Sequence, residues 1–141
     1  MARARIRKPK PPPKVATRVV LIVEDEPTVR TLAESTIAEH GYATLSAANG
    51  TEALALLNDG TPIDLLFTDI NMPDGPDGLE LARQAIELRS GLRVVYTTGG
   101  GRTDGMIARF VEGATFLPKP YTNEQLIKAV TMTDRRAKTS Q

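Results

Sequence analysis

The chain of 141 residues is long enough for one domain with a sizeable core, and its 40% apolar and 25% charged residues are typical of a globular protein. It has no cysteine, which excludes disulfides, thiolate metal ligands and cysteine nucleophiles. No apolar run is longer than five residues, the length of Val19 to Val23, so we predict neither a membrane span nor a secretory signal and expect a cytoplasmic location.

The net charge of +1 conceals an uneven distribution along the chain. Seven basic residues precede the first acid, Glu24, and the remainder has 11 basic against 17 acidic residues, a formal charge of −6. Residues 1–17 also contain four prolines and lack apolar periodicity, which predicts a disordered basic tail. Such a tail either solubilises the protein or forms an arm that docks to a partner or to nucleic acid, although no aromatic residue is interleaved to stack on bases.

Strand and helix signals alternate from Arg18 onward. Short apolar runs predict strands at 19–23, 42–47, 63–68, 94–97 and 114–117. The first helix is predicted from Pro27 to Gly41, with the apolar stripe Val29, Leu32, Ala33 and Ile37. The second begins at a capping box at 49–52 and ends at Gly60, the third covers 77–89, and a short fourth lies around Met106, Ile107 and Phe110. The fifth follows a second capping box at 122–125, with Leu126, Ile127 and Val130 facing inward. Five strands alternating with five helices predict an α/β fold, a doubly wound five-stranded parallel sheet with helices on both faces.

Polar side chains follow four of these strands at the point where each strand ends. Glu24 and Asp25 follow the first strand and Asp69 follows the third, so these carboxylates converge if the two strands are neighbours. Like charges raise one another's pKa, and a hard divalent cation relieves the repulsion. The cluster therefore predicts a Mg²⁺ site with oxygen ligands, whereas solvated loop charge is the alternative.

A carboxylate beside Mg²⁺ is a metal ligand, a general base or a nucleophile, and aspartyl phosphate is an established covalent intermediate. Lys119, held between two prolines at the end of the fifth strand, would neutralise a phosphoryl group on Asp69 from the other side. Thr98 ends the fourth strand and would donate its hydroxyl to a phosphoryl oxygen. Three glycines follow at 99–101, which predicts a mobile loop that new hydrogen bonds could order.

These residues resemble the receiver domain of two-component response regulators. The resemblance covers residues 18–135, with a flexible tail expected at 136–141, and it implies the flavodoxin-like strand order 2-1-3-4-5. Its segments are the first strand with its acids at 19–26, the phosphoacceptor segment at 69–73, the start of the third helix at 77–81, Thr98-Gly99 and the lysine segment at 116–121. Two departures are a glutamate at position 24, where aspartate is more frequent, and Gly100, which lacks a side chain that could control the access of water to the acyl phosphate.

The resemblance implies a phosphoryl donor, either a histidine kinase or a histidine phosphotransfer protein, and Asp69 as acceptor. Asp25 would bind Mg²⁺ directly, Glu24 mainly through water, and Asn71 through its backbone carbonyl. Lys119 and Thr98 would contact the phosphoryl oxygens, Lys119-Pro120 would be a cis peptide, and Phe116 would turn inward when Thr98 moves.

Output is expected through protein contact on the face formed by the fourth helix, the fifth strand and the fifth helix, because no DNA-binding or catalytic segment follows the last predicted helix. A homodimer on that face is an alternative to a downstream protein. The chain would promote only its own phosphorylation and dephosphorylation and is not expected to be an enzyme. Two other functions remain open: a receiver-like interaction module that is not phosphorylated, and an aspartyl-phosphate phosphatase, although such enzymes need a general acid where this chain has Asn71.

Overall fold

The computed structural model describes the backbone of residues 17–139 and the side chains of residues 17–134. The tail predicted at residues 1–17 lies outside the described residues except for Thr17. The elements in chain order are β1 (Val19–Val23), α1 (Pro27–Glu39), β2 (Ala43–Ala47), α2 (Gly50–Asn58), β3 (Leu65–Asp69), α3 (Gly78–Leu88), β4 (Arg93–Thr98), α4 (Asp104–Ala108), β5 (Thr115–Pro118) and α5 (Asn123–Thr139). The last helix passes residue 135, so residues 136–139 of the predicted C-terminal tail are helical.

The five strands form one sheet in the order β2-β1-β3-β4-β5, and each pair of neighbouring strands is parallel. This confirms the predicted doubly wound α/β fold and its flavodoxin-like strand order. The order reverses between β1 and β3, because the chain first adds β2 on one side of β1 and then places β3 on the other. Ligands of open α/β sheets bind at such a switch point, outside the carboxyl ends of the strands.

Helices cover both faces of the sheet, and each face has its own apolar core. On one face α2 and α3 bury Leu57 and Leu81 against strand residues such as Leu66. On the other face α1 and α5 bury Ile37 and Leu126 against residues such as Phe67. Because consecutive side chains of β1 and β3 enter opposite cores, these strands are continuously apolar in sequence. The two cores hold the central strands rigid up to their carboxyl ends.

Two of the helix starts were predicted to have capping boxes. The side chain of Asn49 accepts a hydrogen bond from the Glu52 amide at 2.8 Å, and the Glu52 carboxylate accepts one from the Ala48 amide at 2.8 Å. Before α5, the Thr122 hydroxyl and the Gln125 side chain each accept from the other residue's amide, at 3.0 and 2.9 Å. Both capping boxes are therefore present in the structure.

The prediction for α1 was wrong at Leu32, which does not face the core. Its side chain is 59% exposed, whereas Ala33 and Ile37 are buried. The buried residues of α1 are Ala33, Thr36 and Ile37, which form a narrow stripe, and Leu32 lies outside it.

The start of α3 lies against the end of β3. The Gly78 amide donates to the Ile70 carbonyl at 2.8 Å. A Cβ atom at position 78 would collide with the backbone carbonyl of Asp69, so only glycine permits this approach. The hydrogen bond and the close contact fix the backbone of Asp69 in place.

Candidate functional site

Three carboxylates meet where β1 and β3 end. Glu24, Asp25 and Asp69 each offer one oxygen, and these oxygens lie within 4.8 Å of one another. Glu24 and Asp69 are 1% and 5% exposed, whereas Asp25 is exposed to solvent. The structure therefore brings together the three acids that the strand pattern predicted, and it leaves one open side at Asp25.

Lys119 reaches this cluster from the end of β5. Its Nζ lies 2.8 Å from Glu24 Oε1 and 3.0 Å from Asp69 Oδ2. The peptide bond between Lys119 and Pro120 is cis, as the resemblance implied. The Lys119 amide donates to the Thr98 carbonyl at 3.0 Å, which ties the end of β5 to the end of β4. One ammonium is thus paired with two buried carboxylates and compensates only part of their charge.

The electrostatics of the cluster reflect both burial and pairing. Burial raises the pKa of Glu24, although hydrogen bonds from Lys119 and from the Glu26 amide act in the opposite direction. Burial disfavours the Lys119 ammonium, but its hydrogen bonds to Glu24 and Asp69 outweigh this and leave the pKa of Lys119 above its usual value. The Lys119 ammonium is therefore a stable cation beside the carboxylates of Glu24 and Asp69, and burial disfavours the charged form of Glu24. A second cation would stabilise these carboxylates further.

The carboxylate cluster fits Mg²⁺ by the chemistry of its oxygen donors. Both oxygens of Glu24 already accept hydrogen bonds, from Lys119 at 2.8 Å and from the Glu26 amide at 3.1 Å. Asp25 is the exposed member of the group. This arrangement favours direct binding by Asp25 and indirect binding by Glu24.

Thr98 lies on the other side of Asp69. Its side chain is buried, and its Oγ1 accepts hydrogen bonds from Asn71 Nδ2 at 2.7 Å and from the Gly100 amide at 3.3 Å. The Asn71 amide donates to Asp69 Oδ1 at 3.1 Å. Thr98 is thereby connected through Asn71 to the carboxylate whose modification it would sense.

Phe116 is half-buried on β5 and belongs to a stack of three rings. Its ring lies 5.9 Å from that of Phe110, which lies 4.5 Å from the buried ring of Tyr96 on β4. The Tyr96 hydroxyl accepts a hydrogen bond from the Val111 amide at 3.1 Å. The stack joins β4 and β5 to the segment that follows α4, which is the region expected to respond to Thr98.

A groove of about 500 Å³ lies between α1 and the start of α5 and reaches Lys119. Val29 and Leu32 line it from α1, and Tyr121 and Leu126 line it from the opposite side. The Tyr121 hydroxyl is buried without a hydrogen-bond partner among the described residues. Burial, with the nearby charge of Glu24, raises the pKa of Tyr121 to about 12.

Three features of the site were missed in the sequence. The exposure of Leu32 on the groove was hidden by its fit to the apolar stripe of α1. The side-chain contact of Asn71 with Thr98 joins residues 27 positions apart, and no local pattern indicates it. The guanidinium of Arg102 lies over the Phe116 ring, but Arg102 is in a polar loop, where basic residues are common and give no signal of such a contact.

A doubly wound sheet with an acidic cluster at its switch point, a lysine between the acids and a hydroxyl nearby defines a class of phosphoacceptor signalling domains. The model of the response regulator receiver domain matches residues 20–131. The chain belongs to this family and is a receiver domain of two-component signal transduction.

Known relatives support this assignment. Sporulation initiation phosphotransferase F of Bacillus subtilis (strain 168) is 34% identical over 113 residues, which are 79% of this chain and 89% of that protein. The DNA-binding transcriptional regulator NtrC of Salmonella typhimurium is also 34% identical over 113 residues, again 79% of this chain but 24% of NtrC. The chain thus spans about a quarter of the length of NtrC. The crystal structure of a response regulator receiver protein from Sinorhizobium medicae WSM419 superimposes with a TM-score of 0.80 at 30% identity, covering 86% of this chain and 97% of that one.

Among the described residues, no helix has both the length and the apolar character needed to cross a membrane.

Proposed function

We propose that Asp69 accepts a phosphoryl group and that this modification switches a protein-binding surface. The observation that carries the proposal is the position of Asp69, which is buried at the end of β3 with its Oδ2 3.0 Å from Lys119 Nζ and with two further carboxylates beside it. In the transfer, a carboxylate oxygen of Asp69 forms a bond to phosphorus. The bond between phosphorus and a histidine nitrogen of the donor breaks, and its electron pair returns to the imidazole.

Each neighbouring residue has a distinct role in this proposal. Asp25, Asp69 and the Asn71 carbonyl would hold Mg²⁺, with Glu24 acting mainly through water. When bound, Mg²⁺ supplies positive charge to the phosphoryl oxygens. Lys119 supplies charge from the opposite side, and Thr98 donates its hydroxyl to a phosphoryl oxygen.

The second residue after Asp69 argues against the alternative of an aspartyl-phosphate phosphatase. Asn71 stands there, and its amide cannot supply the proton that a leaving group needs. We therefore infer a phosphoacceptor that promotes only its own phosphorylation and dephosphorylation. A receiver-like module without phosphorylation would not require the pairing of Lys119 with Asp69 beside two more acids.

We infer that the donor is a histidine kinase or a histidine phosphotransfer protein that docks over the groove between α1 and α5. Leu32, 59% exposed at the edge of this groove, offers apolar contact area close to Lys119. An apolar surface that reaches Lys119, the partner of Asp69, suits a protein donor, since a small phosphodonor would not need it.

We also infer that output passes through the face formed by α4, β5 and α5. Ile107 on α4 and Met132 on α5 are 43% and 37% exposed, and Phe116 lies between them in chain order on β5. These apolar groups suit a downstream protein, and a homodimer on the same face is the alternative. Size-exclusion chromatography with light scattering, with and without a phosphoryl mimic, separates the two.

The proposal is tested by incubating the chain with acetyl phosphate and Mg²⁺ and measuring its intact mass. We expect one added phosphoryl group, none after Asp69→Asn, and none when the metal is chelated. Asp74→Asn, which alters an exposed acid in the loop that follows β3, is the matched control and should label as the wild type does. Labelling that persists in Asp69→Asn would reject Asp69 as the acceptor.

A further inference from the structure

The Thr98 hydroxyl is held by two donors. Asn71 Nδ2 lies 2.7 Å from Thr98 Oγ1, and the Gly100 amide nitrogen lies 3.3 Å from the same atom. A hydroxyl has two lone pairs that accept and one proton that it can donate. Both lone pairs of Thr98 Oγ1 therefore accept hydrogen bonds, and the hydroxyl proton must point in the one direction that remains.

We propose that the side chain of Asn71 is a positioning residue that aims the Thr98 hydroxyl proton at the phosphoryl group on Asp69. The inference rests on the proposed function of Asp69. It adds a role for the side chain of Asn71, whereas the proposed Mg²⁺ site used only the backbone carbonyl of this residue. Asn71 acts through Thr98 and need not contact the reacting atoms.

Asn71 is well placed for this role because its backbone is itself tied to the acceptor. The backbone amide of Asn71 donates to Asp69 Oδ1 at 3.1 Å, so the position of Asn71 is fixed relative to the Asp69 carboxylate. This backbone hydrogen bond survives any substitution of the side chain except proline. The role of the side chain can therefore be tested without removing the backbone contact.

Gly100 does not restrict the hydrogen bond between Asn71 and Thr98 sterically. A Cβ atom at position 100 would lie 3.8 Å from both Asn71 Nδ2 and Thr98 Oγ1, an ordinary contact distance. The contribution of Gly100 to Thr98 is thus its amide, which every replacement except proline keeps. Of the two donors to Thr98 Oγ1, only Asn71 can be removed by a side-chain substitution.

A double-mutant cycle tests this role. The rate of acetyl phosphate labelling with Mg²⁺ is measured for the wild type, Asn71→Ala, Thr98→Ala and the double variant. One neutral hydrogen bond corresponds to about a two- to tenfold rate difference, so we expect Asn71→Ala to slow labelling by that factor. In the Thr98→Ala background, removal of the Asn71 side chain should change the rate no further.

A spectroscopic measurement separates positioning from a general structural effect. The Thr98 side chain should hold a single rotamer in the wild type and an average of rotamers in Asn71→Ala, as read from its NMR scalar couplings. Thermal unfolding of each variant shows whether it remains folded, and the couplings are compared within the folded variants.

Three results would overturn the inference: independent, multiplicative effects of the two substitutions, an unchanged rate in Asn71→Ala, or an unchanged Thr98 rotamer in that variant. Failure of the proposed function gives a different result. In that case the wild type itself does not label, or Asp69→Asn labels as well as the wild type.

Discussion

The guanidinium of Arg102 lies over the ring of Phe116, with its central carbon 5.2 Å from the ring centroid. Arg102 follows the three glycines of the loop after Thr98, whereas Phe116 lies on the neighbouring strand. The contact therefore joins the loop expected to move with Thr98 to the aromatic side chain expected to turn inward. It favours the arrangement seen here, in which Phe116 closes the stack of three rings.

Removal of this contact should make the switch easier. An exposed cation–π pair contributes about 0.5–1 kcal/mol, so Arg102→Ala should lower the concentration of beryllofluoride needed for half-conversion by about two- to fivefold. Amide NMR shifts of residues 99–101 with Mg²⁺ present report the conversion. Arg102→Lys should have a smaller effect, and Arg109→Ala, an exposed arginine at the end of α4, should have none. An unchanged midpoint in Arg102→Ala would show that the contact does not restrain Phe116.

Leu32→Asp should separate protein donors from small donors. A charge at the edge of the groove should weaken docking of a phosphorylated histidine phosphotransfer domain and slow transfer by roughly ten- to a hundredfold, because burial of a leucine contributes about 1.5–3 kcal/mol. Labelling by acetyl phosphate should be unchanged, since it needs no docking surface. Leu88→Asp on α3, 43% exposed on the other face of the sheet, is the control. Equal loss with both donors would mean that the substitution damages the site itself.

Thr97 and Thr133 provide a matched pair for the energetics of buried hydroxyls. Both are fully buried, but Thr97 Oγ1 has no hydrogen-bond partner among the described residues. Thr133 Oγ1, in contrast, bonds to the Ala129 carbonyl and to the Thr115 hydroxyl, each at 2.7 Å. We expect Thr97→Val to raise the free energy of unfolding by about 1 kcal/mol and Thr133→Val to lower it by about 1 kcal/mol or more. Urea denaturation of the two variants checks the opposite signs, and destabilisation by Thr97→Val would indicate that its hydroxyl is satisfied.

Tyr121 should ionise late as pH rises. Its folded pKa of about 12 lies above the ordinary value of 10, so the unfolded chain loses this proton first and the free energy of unfolding falls as pH rises between these values. Tyr121→Phe should abolish this part of the alkaline loss. Tyrosinate absorbance of the folded protein is the direct measurement, with the Tyr121→Phe spectrum subtracted to isolate one group. Ionisation of Tyr121 near pH 10 would contradict its burial.

Local chemistry in the sequence was sufficient to predict the elements and the doubly wound α/β class, whereas the strand order 2-1-3-4-5 was implied by the resemblance to receiver domains. Apolar runs, capping boxes and glycines follow from the backbone needs of each element, so the order of strands and helices could be predicted residue by residue. The acids, Thr98 and Lys119 could also be located, because strand ends in a parallel sheet meet at one edge. Leu32 could not be placed correctly, since the helical spacing of apolar residues gives the direction of the apolar stripe but not its width.

Contacts between side chains distant in sequence were beyond the reach of such patterns. The bond from Asn71 to Thr98 and the position of Arg102 over Phe116 depend on where loops run after the strands end. Those paths are set by tertiary packing and by glycines whose backbone can adopt many conformations. The positions of the chemical groups were therefore predictable, whereas the couplings between them required the structure.

The hydrogen bond from the Gly78 amide to the Ile70 carbonyl closes the segment between β3 and α3 at its base. Residues 71–77 thus leave and re-enter the fold at two points that are already joined. Substitutions at the exposed outer part of this loop, at Pro73 and Asp74, can therefore alter which partners approach the carboxylate without displacing it. Recognition can diversify there in evolution while the Asp69 carboxylate keeps its position, provided that position 78 remains glycine.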